Sequence, residues 1–448
     1  MQRVSDRAAY TVLLAVGVVC VLAFLLIRLP RANGSVLSAD GPGYFSYLHS
    51  IIFDGDLDFR NEYAHWPDFS CAECTPLANG LMGNPYSVGP ALLWAPFYLA
   101  AHALSLIVQS AGFQASVDGY GHVYESAISI ASILYVSAGS LLTYWVCRRY
   151  FSSYSSLLAV LGMFLASSLL HYTIAAPYMS HGVSFFAVSL FLFVWHPPGR
   201  RTYKEWALLG LSAALMTLVR WQNVLYLGVL TVEAISTIVA AGPGRRAPTL
   251  TQYIKGGLLA AFCCAVALTP QMLVWDALYG SFIAVPHGGR FFDWIRPELL
   301  DYLFSTKNGL YTWHPITLVA TLGFVPFWRR DKKVAAALLV ALLLQWYLNS
   351  ALVEWWGAKG FGARRFISAM PLLALGLSAL TEWTTERFRR GSLIILAVVT
   401  ALVGWSLLFE LQFSWGFIPQ GEAISFHQLT IGKFEMVLQL IERAVARP

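Results

Sequence analysis

The chain has 448 residues, 57% of them hydrophobic and only 12% charged, with a formal net charge of +6 and a mean hydropathy of +0.59. A soluble protein carries roughly twice that share of charge. The composition excludes a soluble enzyme. It gives no support to a nucleic-acid partner, since no basic patch interleaved with base-stacking aromatics is present.

Apolar runs of ~18 residues or more recur from end to end, each long enough to cross a hydrocarbon core of ~30 Å. The first, 8–30, is too long for the apolar part of a signal peptide and lacks a small-x-small cleavage site, so it reads as a retained span. Further spans are predicted over 123–147, 155–176, 179–196, 205–221, 222–241, 256–275, 315–328, 334–353, 366–383 and 391–413. Arg148/Arg149, Arg200/Arg201/Lys204, Arg245/Arg246, Arg329/Arg330/Lys332/Lys333 and Arg387/Arg389/Arg390 fall in alternate loops. With Arg3 and Arg7 inside, every one of these clusters is cytoplasmic, as the positive-inside rule requires.

Segment 89–111 is apolar enough to span, but counting it would put every later cluster outside. Pro90, Pro96 and His102 interrupt it, so it is expected to form one or two helices in the outer interface, or a re-entrant piece. The fold class expected is an all-α polytopic membrane protein of about eleven transmembrane helices, one membrane domain over 1–448 with no soluble domain appended. Long external segments remain at 31–122, 276–314, 354–365 and 414–448, the last ending in an amphipathic helix around Phe434–Val445. No internal repeat is visible.

The first external loop is acidic, with Asp40, Asp54, Asp56, Asp58, Glu62, Asp68 and Glu73 against Arg31 and Arg60. Asp40 lies in Ser38-Ala-Asp-Gly-Pro-Gly-Tyr44, where Gly41, Pro42 and Gly43 force a turn that holds the carboxylate at the membrane edge. It reads either as a general base for an acceptor hydroxyl or as the cap of the helix entered at Tyr44. Asp54, Asp56 and Asp58 alternate, so in an extended segment they share a face and could hold a cation; the calcium-loop pattern is absent, and a solvated acidic turn is the competing reading. No motif fixes a metal, and a divalent cation is the one cofactor this loop could take. Cys71-Ala-Glu-Cys74 in an oxidising compartment is expected to form a local disulfide, zinc needing two further ligands of which only His65 is near. Cys20, Cys147, Cys263 and Cys264 lie in apolar runs and read as packing residues.

Loop 354–365 is opposite in sign. Lys359, Arg364 and Arg365 lie outside beside glycines and the pair Trp355–Trp356, which suits a phosphate with a sugar or prenyl chain. The competing reading is an interfacial aromatic belt with arginines at lipid headgroups. His287 and Arg290, His314, and His181 at the outer start of a span are further candidates for a polar cavity lining, with Tyr44, Asp56 and Asp58. Arg220 and Glu233 lie within predicted spans; Arg220 is placed at an outer end, and Glu233 reads as a pair within the bundle.

An N-terminus inside, an acidic motif after the first span, interfacial helices in a long first loop and about eleven spans together resemble the GT-C superfamily of membrane glycosyltransferases. Asp40-Gly-Pro-Gly-Tyr44 is similar to the D-E-x-x-Y motif of the protein O-mannosyltransferase and aminoarabinose-transferase branch, with Gly41 in place of its glutamate. Asn84-Pro-Tyr-Ser-Val-Gly-Pro-Ala-Leu-Leu-Trp94 resembles that branch's K-P-P-L-L-Y-W segment, with Asn84 in place of the phosphate-meeting lysine. The resemblance implies a polyprenyl-phosphate-linked sugar donor and a glycan, lipid or protein acceptor among membrane lipids. It also implies inversion at the anomeric carbon with Asp40 as base, and a leaving phosphate held by Lys359, Arg364 and Arg365. The expected location is the extracytoplasmic, periplasmic side of a bacterial inner membrane. A transporter or flippase of a lipid-linked sugar would show paired inverted repeats, which are not visible. A non-catalytic lipid-binding assembly subunit would tolerate loss of Asp40.

Overall fold

The computed structural model describes residues 4–27, 35–195, 201–288 and 291–445, with the side chains of 27, 243–248 and 443–445 outside that description. Among the described residues there is no strand, only two isolated bridges, Pro76 with Met82 and Phe292 with Leu352.

Helix α1 (Asp6–Ile27) has no charge after Arg7 and at 1.5 Å per residue is long enough to cross a bilayer. The first external segment holds α2 (Gly41–His49), which runs on as a π-helical turn over Ser50–Asp54 and stops at Gly55, whose φ of 71° breaks the helix. A short α3 (Arg60–His65) follows. Segment 89–111 forms one continuous helix, α4 (Gly89–Ser110), which starts on Pro90 and runs through Pro96. Neither proline divides it: Pro90 occupies the first turn, where no amide donor is needed, and Pro96 costs a single interior hydrogen bond.

Then come α5 (His122–Arg148), α6 (Ser153–Leu165), α7 (His171–Ile174), α8 (Ser180–Trp195) and α9 (Tyr203–Val219). Helix α9 opens on a reciprocal capping box between Thr202 and Glu205. A 3-10 turn over Trp221–Leu227 leads into α10 (Gly228–Ala240) and the long α11 (Pro243–Tyr279). Short helices α12 (Leu299–Phe304) and α13 (Leu310–Trp313) precede α14 (Pro315–Leu322) and α15 (Phe324–Arg330). The last five are α16 (Lys332–Ser350), α17 (Met370–Arg387), α18 (Gly391–Ser414), α19 (Phe426–Leu429) and α20 (Gly432–Val445). The last of these is the amphipathic helix expected at the C-terminal end.

Eight of the described helices are long and apolar enough to cross a membrane, α4 among them; Ser153–Leu165 and Ser180–Trp195 are shorter apolar helices. The predicted span 315–328 is divided at Gly323 into α14 and α15. A side chain at Gly323 would collide with the Gly376 carbonyl, so that break allows close backbone contact with α17.

The described residues gather into two compact units. One comprises 1–10, 143–171 and 291–448. Its centre is α17, buried along nearly its whole length and packed against α6, α14 and α18. The other comprises 11–142 and 172–290. There α9 packs on α8 and α11, with Gly210 set against the backbone of Ala260. Leu14, Val18, Val19 and Leu22 on α1, Leu258, Phe262 and Val266 on α11, and Leu393 and Ile394 on α18 are exposed. Such surface suits lipid contact rather than water. Glu233 is a structural pair, as read: Arg201 reaches both its oxygens (2.7 and 2.8 Å), and Trp195 and Tyr253 also donate to it.

Candidate functional site

Asp40 stands at the N-cap position of α2, directly after Ala39, whose φ of 47° places a residue with a side chain in the left-handed region. The Asp40 side chain makes no capping hydrogen bond. Its carboxylate is therefore not spent on the helix end, the competing role the sequence leaves open.

The approach to Asp40 is anchored residue by residue. Glu125, buried at the start of α5, accepts hydrogen bonds from the Ser35 hydroxyl (2.9 Å) and the Val36 amide (2.6 Å), and Trp66 donates to Ser35 (3.1 Å). Ser38 shares a 2.6 Å hydrogen bond with the Tyr178 hydroxyl. A Cβ on Gly41 would lie 2.7 Å from the Tyr178 ring, and one on Gly43 would overlap the Tyr86 ring. The two glycines thus do more than turn the chain: they let two tyrosine rings rest on the first turn of α2.

Asn84 is buried, donating to the Gly43 carbonyl (2.9 Å) and accepting from the Tyr86 amide (3.0 Å). It pins the segment that follows to α2 and brings no charge for a phosphate. A cation enters from a different element. Arg220 ends α9 and donates from Nη1 to Ser180 (3.1 Å), which in turn donates to the Tyr44 hydroxyl (2.8 Å), one turn along α2 from Asp40. The same Nη1 lies 3.3 Å from Nδ1 of the buried His181, which is packed against Tyr172. Among the described residues Arg220 has no carboxylate partner, so most of its guanidinium fork is available to an anion. Tyr44, His181 and Asp40 are thus brought to one neighbourhood, joined by Arg220, Ser180, Tyr178 and Tyr86. Of these four, only Arg220 carried a signal in the sequence, as a charge inside an apolar run.

Other candidates go elsewhere. His287 pairs with Glu73 (3.0 Å) of the Cys71-Ala-Glu-Cys74 turn, and Cys71 and Cys74 are disulfide-bonded. Arg290 lies outside the described residues. The segment carrying Asp54, Asp56 and Asp58 is not extended, because Ser50–Asp54 is helical and Gly55 reverses it. The three carboxylates therefore do not share one face. Asp56 accepts from Ser50 (3.0 Å) and from the Asp58 amide (3.0 Å), and Asp58 pairs with the exposed Arg60 (3.2 Å). Asp54 turns inward, toward His49 (3.2 Å), and Glu62 approaches the same ring nitrogen at 2.9 Å. Burial raises the Glu62 carboxyl against the hydrogen bond from His49. Burial works downward on His49, but the Glu62 hydrogen bond, the Asp118 carbonyl and the Asp54 charge hold it above its ordinary value.

Lys359, Arg364, Arg365, Trp355, Trp356 and His314 belong to the other unit. Lys359 is exposed. Arg364 is buried beside Gly357, and Arg365 donates to the Glu354 carbonyl and faces its carboxylate at 3.9 Å. Trp355 and Trp356 meet edge to face (5.9 Å), with the Lys307 ammonium 3.4 Å over the Trp356 ring. His314 is fully buried against Phe361.

No protein-family model matches the chain, and neither does any curated protein. Among solved structures, the ArnT of Cupriavidus metallidurans, bound to undecaprenyl phosphate, superposes with a TM-score of 0.50 at 14% identity. That match covers 90% of this chain and 64% of ArnT, so the chain spans less than two thirds of ArnT's length. The oligosaccharyltransferase of Archaeoglobus fulgidus in its apo form matches with a TM-score of 0.47 at 12% identity, over 90% of this chain and 55% of its own. The likeness is one of fold: the chain shares an all-helical architecture with ArnT.

Proposed function

We propose that the protein is an inverting glycosyltransferase that moves a sugar from a polyprenyl-phosphate-linked donor to an acceptor hydroxyl on the non-cytoplasmic face of a membrane. The observation that carries this reading is the pairing of roles around α2. A carboxylate stands at the helix entry without a capping bond, and an arginine without a carboxylate partner is joined to the same helix through Ser180 and Tyr44. The fold shared with a protein solved with undecaprenyl phosphate supports it.

In this mechanism Asp40 takes the proton of the acceptor hydroxyl as its oxygen attacks the anomeric carbon. The bond from that carbon to the phosphate oxygen breaks, and polyprenyl phosphate leaves with the electron pair. Arg220 stabilises the charge growing on that phosphate, and the apolar surroundings strengthen its pull. Lys359 is the second candidate for a phosphate contact, being the exposed cation of loop 354–365. The acceptor is a glycan, a lipid or a protein, and the expected setting is the periplasmic side of a bacterial inner membrane.

The test is transfer of labelled sugar from a polyprenyl-phosphate donor by the purified full chain. Transfer that fails in Asp40→Asn supports the reading. Full activity in that variant removes the general base, and translocation of the lipid-linked sugar without transfer points to a transporter instead.

A further inference from the structure

Nine residues beyond Asp40, at the far end of α2, three side chains from separate stretches of chain converge. His49 Nδ1 lies 2.9 Å from Glu62 Oε1 and 3.2 Å from Asp54 Oδ2, with the Tyr120 hydroxyl at 3.1 Å. The three ligand-type atoms of His49, Asp54 and Glu62 all lie within 4.8 Å of one another. His49 and Glu62 are buried, Glu62 completely, whereas the Asp54 side chain keeps 30% of its surface exposed.

The proton count at this point is unusual. His49 Nε2 lies 3.0 Å from the Asp118 carbonyl, which can only accept, so Nε2 carries the ring proton. In the neutral imidazole Nδ1 then holds a lone pair, and that lone pair faces two carboxylate oxygens. Even a protonated His49 offers the two carboxylates only one N–H donor, at Nδ1. Glu62 Oε2 is buried, and among the described residues no donor lies in hydrogen-bond geometry to it. A dication suits this arrangement: it takes the lone pair and offsets the charge of both carboxylates.

We infer that His49, Asp54 and Glu62 form a binding site for a divalent cation of the zinc class. Ligand atoms of a tetrahedral zinc at ~2.0–2.1 Å stand ~3.3 Å apart, close to the His49–Glu62 and His49–Asp54 separations. The donation from Nε2 to a backbone carbonyl is the support that metal-binding histidines ordinarily have. Asn61 donates to Asp54 Oδ2 (2.9 Å) and steadies that ligand. Phe53 and Tyr120 stack on the His49 ring, and the exposed edge of Asp54 gives the ion a way in. One imidazole nitrogen with carboxylate oxygens favours zinc over magnesium, which prefers oxygen alone and keeps its waters.

Helix α2 carries Asp40 at one end and His49 at the other, so the ion sits on the order of 13 Å from the proposed base and touches no reacting atom. It fastens the end of α2 to the π-turn and to α3, and so holds the helix that presents Asp40. The site stands whether or not the transfer reading does.

The test uses the detergent-purified full chain, with any histidine tag removed, stripped with chelator and without reductant. Calorimetric titration with Zn²⁺ is expected to give one ion per chain, with Mg²⁺ at least 100-fold weaker. His49→Gln and Glu62→Gln are each expected to weaken Zn²⁺ binding tenfold or more, while Asp56→Asn leaves it unchanged. Absence of stoichiometric binding to the wild type, or unchanged affinity in both ligand variants, overturns the proposal. X-ray absorption on the zinc-loaded wild type decides the matter if the variants do not fold. One imidazole among oxygen ligands is expected, and a site without imidazole or dominated by sulfur overturns it.

Discussion

Around Asp40 small changes of side chain have large leverage, because the first turn of α2 is packed on both sides by tyrosine rings. Gly43→Ala places a methyl group into the Tyr86 ring. Overpacking of that kind costs ~1–3 kcal/mol, so the thermal midpoint should fall, and Tyr86→Ala in the same chain should recover part of the loss. In the proposed mechanism Arg220 is the cation that meets the leaving phosphate. Arg220→Gln should raise the donor KM by about tenfold or more, since a charge-assisted bond to phosphate is lost. Arg220→Lys should recover only part of it, because an ammonium keeps the charge but not the planar fork. If both variants bind donor as the wild type does, the phosphate contact lies elsewhere, and Lys359→Ala becomes the variant to measure.

At the scale of elements, α2 owes its position to long-range contacts that no local pattern announces. Glu125 is 90 residues from the Ser35 it holds, and Tyr178 is 140 from Ser38. The place of Asp40 at the entry of a helix was legible, because a carboxylate followed by Gly-Pro-Gly just beyond a span is a local signal. The Arg220–Ser180–Tyr44 chain was not, because it joins three elements through ordinary polar residues. For the acidic run 54–58 the turn reading holds and the extended one does not, for a related reason. Alternation suggested an extended strand, but Gly55 reverses the chain and sends Asp54 and Asp56 to different partners. The span over 315–328 was legible as apolar, yet its division at Gly323 depends on Gly376 on another helix. The Cys71–Cys74 disulfide closes so short a loop that the chain-entropy estimate gives only ~2 kcal/mol. Cys71→Ser with Cys74→Ser should therefore lower the thermal midpoint modestly and leave donor binding intact.

For the molecule as a whole, hydropathy gives the membrane character, and the alternation of basic clusters predicts an orientation that can be checked directly. With the four free cysteines replaced, Glu422→Cys should react with an impermeant maleimide on intact cells, because segment 414–448 is expected outside and Glu422 is exposed. Glu386→Cys, beside Arg387, should react only after permeabilisation. The reverse pattern would invert the topology and move Asp40 to the cytoplasm. Helix α4 is the one element that charge counting and helix length treat differently: it is long and apolar enough to span, while the clusters require an even number of crossings between α1 and α5. Labelling of Ser110→Cys from outside is expected if α4 lies in the interface.

The most direct measurement is a single-turnover comparison of wild type, Asp40→Asn and Arg220→Gln, each saturated with a labelled polyprenyl-phosphate sugar and then mixed with acceptor. Asp40→Asn should bind donor normally and transfer ~10²–10⁴-fold more slowly, whereas Arg220→Gln should show its main defect in donor affinity. Transfer by Asp40→Asn at the wild-type rate would contradict the assignment of that carboxylate as the base.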